Sequence, residues 1–96
     1  MKVVINRRFG GFRLSDDAEE ILRGTAPEWF RCGRLDIPLD CRHDERLIDA
    51  VESLGPQKAS GRGAMLAMID VPDDIDYVIY DYDGLEMVIE SGHYWT

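Results

Sequence analysis

The chain has no lysine or arginine after Arg62. The stretch from Gly63 to Thr96 still carries eight carboxylates: Asp70, Asp73, Asp74, Asp76, Asp81, Asp83, Glu86 and Glu90. The first 62 residues balance eleven basic against eleven acidic side chains, so the formal net charge of −8 sits wholly in the last third. Such asymmetry bears on partners rather than on fold. An acidic segment repels nucleic acid and anionic membranes and attracts cationic surfaces, so no direct nucleic-acid binding and no membrane partner are expected. Long apolar runs are missing too, and no segment reads as a bilayer span. The opening Met1-Lys2-Val3-Val4-Ile5-Asn6 lacks the apolar stretch and cleavage site of a secretory signal, which points to the cytoplasm.

Cysteine is scarce, with only Cys32 and Cys41. In a reducing compartment both read as free thiols. Together with His43 and His93 they follow no common zinc spacing, and small apolar fillers are the simpler reading. No metal and no cofactor is expected. The Walker loop, the dinucleotide Gly-x-Gly-x-x-Gly, the EF-hand loop and the Gly-x-Ser-x-Gly elbow are all absent. Asp81-x-Asp83-Gly84-x-Glu86 looks like calcium-loop chemistry, but a hairpin turn explains the Asp-Gly step more simply. With no catalytic signature, the expectation is a protein that is not an enzyme.

What is present is enough for one small globular domain, residues 1–96. The apolar fraction of 45% is too high for a disordered chain. Lys2-Val3-Val4-Ile5-Asn6 reads as a buried strand. Ser15 is a good N-cap, followed by acidic Asp16, Asp17 and Glu19 in a first turn that the helix dipole favours. Ala18, Ile21 and Leu22 make the apolar stripe of a short helix, with Gly24 as its stop. Thr25 to Arg42 is the least legible segment; Leu35-Asp36-Ile37 could form a short edge strand. His43 or Asp44 starts a second helix, whose inner face is Leu47, Ile48, Val51 and Leu54, and Gly55-Pro56 ends it. Lys58 to Gly63 is a flexible connection. Ala64 to Asp70, Ile75 to Tyr82 and Leu85 to Glu90 read as strands. The order predicts an α+β fold: an N-terminal strand, two short helices and a C-terminal three-stranded antiparallel meander, with the helices packed on one sheet face.

Asp83-Gly84 is the strongest hairpin signal in the chain. As a two-residue turn it pairs Tyr82 with Leu85, Asp81 with Glu86, Tyr80 with Met87, Ile79 with Val88 and Val78 with Ile89. One face then carries Val78, Tyr80, Tyr82, Leu85, Met87 and Ile89, and is expected to meet the helices. The other carries Tyr77, Ile79, Asp81, Glu86, Val88 and Glu90. Asp81 opposite Glu86 would repel. That second face reads either as an acidic recognition surface around an apolar centre or as a plain solvated face. The candidate partner-binding residues are Asp73, Asp74, Asp76, Tyr77, Asp81, Asp83, Glu86 and Glu90, set against a basic protein surface. An alternative anion-binding site is Asn6, Arg7, Arg8, Gly10, Gly11 and Arg13, where freed backbone amides and three arginines could hold a phosphate-bearing ligand or nucleotide. The competing expectation is that those arginines pair with carboxylates of the same chain. A closed homodimer is compatible with either reading.

Several segments together resemble a family of small uncharacterised proteins of bacteriophage and prophage genomes. They are Lys2-Val3-Val4-Ile5-Asn6-Arg7, Gly10-Gly11-Phe12 with Leu14-Ser15, Leu47-Ile48 with Val51-Glu52-x-Leu54-Gly55, Ala59-Ser60-Gly61, Val71-Pro72-Asp73-Asp74-Ile75, Tyr82-Asp83-Gly84 and Trp95. The resemblance covers most of the chain except Thr25 to Cys41. This chain departs from it at Arg8-Phe9 and in its His93-Tyr94-Trp95-Thr96 ending, where a basic residue often precedes the tryptophan. The resemblance implies no activity and no catalytic residues. It implies context: a phage- or mobile-element-encoded protein in the host cytosol, such as an inhibitor that occupies a basic groove of a host nuclease or CRISPR effector in counter-defence.

Overall fold

A computed structural model describes residues 1–30 and 37–90. The predicted edge strand at Leu35-Asp36, the thiol of Cys32, and His93 with the Trp95 ending lie outside the described residues.

Strand β1 (Lys2–Asn6) is followed by helices α1 (Asp16–Thr25), α2 (Glu45–Leu54) and α3 (Pro56–Ala59), then by strands β2 (Leu66–Asp70), β3 (Tyr77–Tyr82) and β4 (Leu85–Glu90). Helix starts follow the caps expected. The Ser15 hydroxyl accepts from the Ala18 N–H at 3.2 Å, and the Asp44 carboxylate accepts from the Arg46 N–H at 2.9 Å. The end of α1 lies past the expected stop: the left-handed position belongs to Ala26, whose N–H reaches the Leu22 carbonyl. Gly55 ends α2, and Pro56 then occupies the first turn of α3, where its missing N–H costs nothing. Part of the expected flexible connection is therefore helical.

The fold is small and α+β, but the three-stranded meander is corrected. The strands form two antiparallel pairs, β1 with β2 and β3 with β4. The returning strand β2 pairs with the N-terminal strand, Val4 opposite Met68 and Ile5 opposite Ala67, rather than with β3. The reason lies in β1, a run of apolar residues with no partner next to it in sequence. Covering both of its faces and one edge buries more apolar area than extending the hairpin.

Alternation along β1 and β2 divides the interior in two. Val4, Leu66 and Met68 join the main core with Leu22 of α1 and with Leu47, Ala50 and Val51 of α2. Val3 and Ile5, on the opposite face, join Val71, Ala67 and Ile69 and receive Tyr77, Ile79 and Val88 from the hairpin. The molecule is thus three layers deep: helices, the β1–β2 pair, and the β3–β4 hairpin.

Candidate functional site

The hairpin turn has the geometry its residues predict. Asp83 (φ 52) and Gly84 (φ 90) both lie in the left-handed region, as a type I′ turn requires. The register is the predicted one, from Tyr82 opposite Leu85 to Val78 opposite Ile89, and it continues to Tyr77 opposite Glu90. The faces are inverted. The row expected to meet the helices points outward: Val78, Tyr80 and Met87 are each more than half exposed, and Tyr82 is 64% exposed. The row read as the acidic outer face packs inward, with Tyr77, Ile79 and Val88 on the second core. Tyr77 is half-buried, and burial raises its phenol pKa.

Glu86 shows why the inward row tolerates acids. It is 4% exposed. Arg42 holds its carboxylate by two hydrogen bonds, Nη1 to Oε1 at 2.5 Å and Nη2 to Oε2 at 2.8 Å. The Asn6 backbone N–H donates to Oε1 at 2.7 Å. Arg42 is itself buried; its Nε donates to the Ile37 carbonyl at 2.9 Å, and its guanidinium lies 3.8 Å from the centre of the Phe12 ring. No buried polar side-chain atom among the described residues lacks a partner. This is a fully satisfied, charge-assisted pair. Glu86 is therefore withdrawn as a partner contact. Asp81 stands opposite it as expected, but the Glu86 charge is met by Arg42, and the Asp81 carboxylate accepts from the Gly84 N–H at 2.9 Å.

The other acidic candidates divide. Asp73 is exposed but accepts from the Met1 amino group at 2.7 Å, which lowers its pKa. Glu90 is half-buried at the end of β4. Asp74, Asp76, Asp81 and Asp83 are exposed and form no ion pair among the described residues. Asp74 and Asp76 precede β3, while Asp81 and Asp83 sit at the turn, so these carboxylates mark the two ends of the hairpin.

The alternative anion site is largely committed to structure. Asn6 is fully buried. Its side-chain amide donates to the Arg8 and Gly84 carbonyls, both at 2.7 Å, and its carbonyl accepts from the Met65 N–H at 2.9 Å. The Gly10 N–H donates to the Asp83 carbonyl at 3.0 Å. A Cβ on Gly84 would collide with the backbone of Gly10 and Gly11, so the glycines let this loop lie directly on the hairpin turn. A cleft of about 540 Å³ opens between the Gly10–Gly11 loop and Pro38–Leu39, with Arg42 and Glu86 in its wall, already engaged with one another.

Arg7, Arg8 and Arg13 do not pair with carboxylates among the described residues, contrary to the competing expectation. Lys58 and Arg62 are likewise without an ion pair there. The two segments pack together: the Ser15 N–H donates to the Ala59 carbonyl and the Gly61 N–H to the Arg13 carbonyl, both at 2.8 Å. The remaining described cations, Lys2, Arg23, Arg42 and Arg46, all have carboxylate partners.

Sequence reasoning missed two features. Arg42 lies at the end of the segment that gave no pattern, and nothing local marks it as the partner of a residue 44 positions away. The second is the outward apolar row, which alternation defines as a row but hydrophobicity alone places inside. Phe9 joins it, its ring 6.3 Å from that of Tyr82 in an edge-to-face arrangement. Of the eight large apolar side chains that stay exposed among the described residues, five (Phe9, Val78, Tyr80, Tyr82 and Met87) belong to this one surface.

Among the described residues no three His, Cys, Asp or Glu side chains gather closely enough to hold a metal ion, and no helix is long and apolar enough to cross a membrane. Burial raises the pKa of the Cys41 thiol, with the neighbouring Asp40 carboxylate acting in the same direction. Compared with protein families, with curated proteins and with solved structures, the chain matches none.

Proposed function

We propose that this chain is a small, non-enzymatic interaction protein that sets the exposed carboxylates of its last third against a cationic surface of a host protein. The observation that supports this is the group Asp74, Asp76, Asp81 and Asp83: four exposed carboxylates at the two ends of one hairpin, in a third of the sequence that holds no lysine or arginine. Acidic side chains so placed can stand in for phosphates in a groove lined by lysine and arginine, and they speed encounter with it. The family resemblance supplies the setting, a phage- or mobile-element-encoded protein in a bacterial cytosol acting as an inhibitor.

The test compares the wild-type chain with an Asp74→Asn, Asp76→Asn, Asp81→Asn, Asp83→Asn variant in capture from bacterial lysate. The expected result is a basic protein retained by the wild type, lost from the variant, and released as salt rises from about 0.05 to 0.5 M, where screening shortens to a few ångström. Equal retention by both chains would remove these carboxylates from the interface.

A second reading is supported by the cations that form no ion pair among the described residues. Arg7, Arg8 and Arg13, joined by Lys58 and Arg62, could receive a phosphate-bearing ligand, although Asn6 and Gly10 are taken up internally. A thermal-shift screen with nucleotides tests this, since a ligand of the native state raises the midpoint.

A further inference from the structure

We infer that the outward face of the β3–β4 hairpin is the contact surface of a closed two-fold homodimer. Val78, Tyr80, Tyr82 and Met87 of one copy would pack on the same row of a second, with Phe9 extending the contact beside Tyr82.

The first argument is composition. An antiparallel pair with one buried face usually alternates apolar inward and polar outward. Here the outward row is Val78, Tyr80, Tyr82, Leu85, Met87 and Ile89, with no charge in it, while Tyr77, Ile79 and Val88 of the inward row already pack on the second core. Such a strand pair reads as one covered on both sides, and among the described residues only one side is covered. A lone two-stranded hairpin is marginal without a second packed layer.

The second argument is area. Whole aromatic side chains bury about 150–250 Å² each. Half or more of Phe9, Tyr80 and Tyr82 is exposed, together with half of Val78 and Met87. This amounts to roughly 550 Å² per copy, so complete cover of these five side chains removes at most roughly 1,100 Å² from water, close to the ~1,000 Å² that a specific interface needs.

The third argument selects the occupant. A two-fold contact places a surface against itself and so requires self-complementarity. An uncharged apolar row meets that condition, and one twisted sheet face fits another about 10 Å away. The carboxylates stand clear of the row: Asp74 and Asp76 precede β3, Asp81 belongs to the opposite face, and Asp83 is in the turn. A cationic partner would be recognised at that rim, which the dimer leaves accessible and doubles. The inference therefore does not rest on the function proposed above.

The two proposals differ in the sign of their salt dependence. Each copy carries −8, so self-association works against like-charge repulsion and tightens as salt screens it, whereas a complex with a cationic partner loosens. Sedimentation velocity of the full chain from about 1 to 300 μM, at about 0.05 and 0.5 M salt, reads this directly. The expected result is a species of about 22 kDa, twice the 11.0 kDa chain, with a dissociation constant that falls at high salt. A Tyr80→Asp, Met87→Asp variant should dissociate at least 10-fold more readily while keeping its far-UV spectrum. Should that variant misfold, Tyr80→Ser alone should weaken the dimer without charge. The four-asparagine variant should leave the dimer intact or tighter. An 11 kDa species throughout at high salt, a dimer indifferent to Tyr80 and Met87, or one that dissociates as salt rises would each overturn the inference.

Discussion

The two faces of the β3–β4 hairpin differ in charge and meet the fates opposite to those their composition suggests. The inward row includes two glutamates and an aspartate, yet it is half-buried or buried except at Asp81; the outward row has no charge and is mostly exposed. Hydrophobicity ranks the rows the other way round. What decides the matter is the company each row can keep. The inward row meets Val3, Ile5 and Val71 on the free face of the β1–β2 pair, and its one deeply buried acid meets Arg42. A buried charge is tolerated when it is paired and its remaining lone pairs are satisfied. Glu86 has the bidentate guanidinium and the Asn6 N–H, which together meet that demand. The outward row has no second layer among the described residues.

The contrast can be broken most severely at Arg42. Arg42→Leu leaves Glu86 buried without its counter-charge, and a loss of about 3–5 kcal/mol is expected. In a 96-residue domain that is a large share of the total stability. Urea unfolding read by far-UV circular dichroism measures it. The double variant Arg42→Leu, Glu86→Leu should recover much of the loss, because an apolar pair of similar volume removes the unpaired charge. If the single variant costs less than ~1 kcal/mol, the pair does not decide which face lies inside.

A milder change tests a carboxylate–guanidinium pair outside the hairpin. Asp44 caps α2, and hydrogen bonds from Arg46, then Trp29, hold its pKa well below the ordinary aspartate range. Its folded-state pKa lies below its unfolded one, so its contribution is complete above the unfolded value and is lost as pH falls through the folded one. Stability of the wild type should therefore decline as acid is added below the ordinary aspartate range. Asp44→Ala should lower stability by about 1 kcal/mol at neutral pH, the usual worth of an N-cap, and should flatten that part of the acid limb. Thermal midpoints across pH 2 to 6 show whether it does.

The smallest expected effect lies on the outward face. Tyr80→Ser, measured at a concentration low enough to keep the chain monomeric, should change unfolding stability by no more than about 0.5 kcal/mol. A larger loss would mean that the outward row is packed within the chain, and the contrast between the faces would fail.

Much of this was legible in the sequence. Ser15 and Asp44 mark their helix starts, the apolar stripes of α1 and α2 face the core, and Asp83-Gly84 fixes the hairpin register residue by residue. The four exposed aspartates of the proposed surface were legible as well. The deeper parts were not. Arg42 follows a segment without periodicity, and its partner lies beyond four further helices and strands. Asn6 reads as the last residue of a strand, yet its side chain joins the Arg8 carbonyl, the Gly84 carbonyl of the hairpin turn and the N–H of Met65, just before β2, through three hydrogen bonds.

The sequence by itself determined roughly where α1, α2 and the four strands lie, how β3 pairs with β4, and where the excess negative charge is carried. These are local properties, set by periodicity, capping and turn chemistry over a few residues. Only the tertiary structure decided that β2 pairs with β1, which hairpin row is covered, and which carboxylate is neutralised. Period-two alternation defines two faces but carries no sign. The sign comes from the layer that packs against them, and that layer is built from residues distant in the chain.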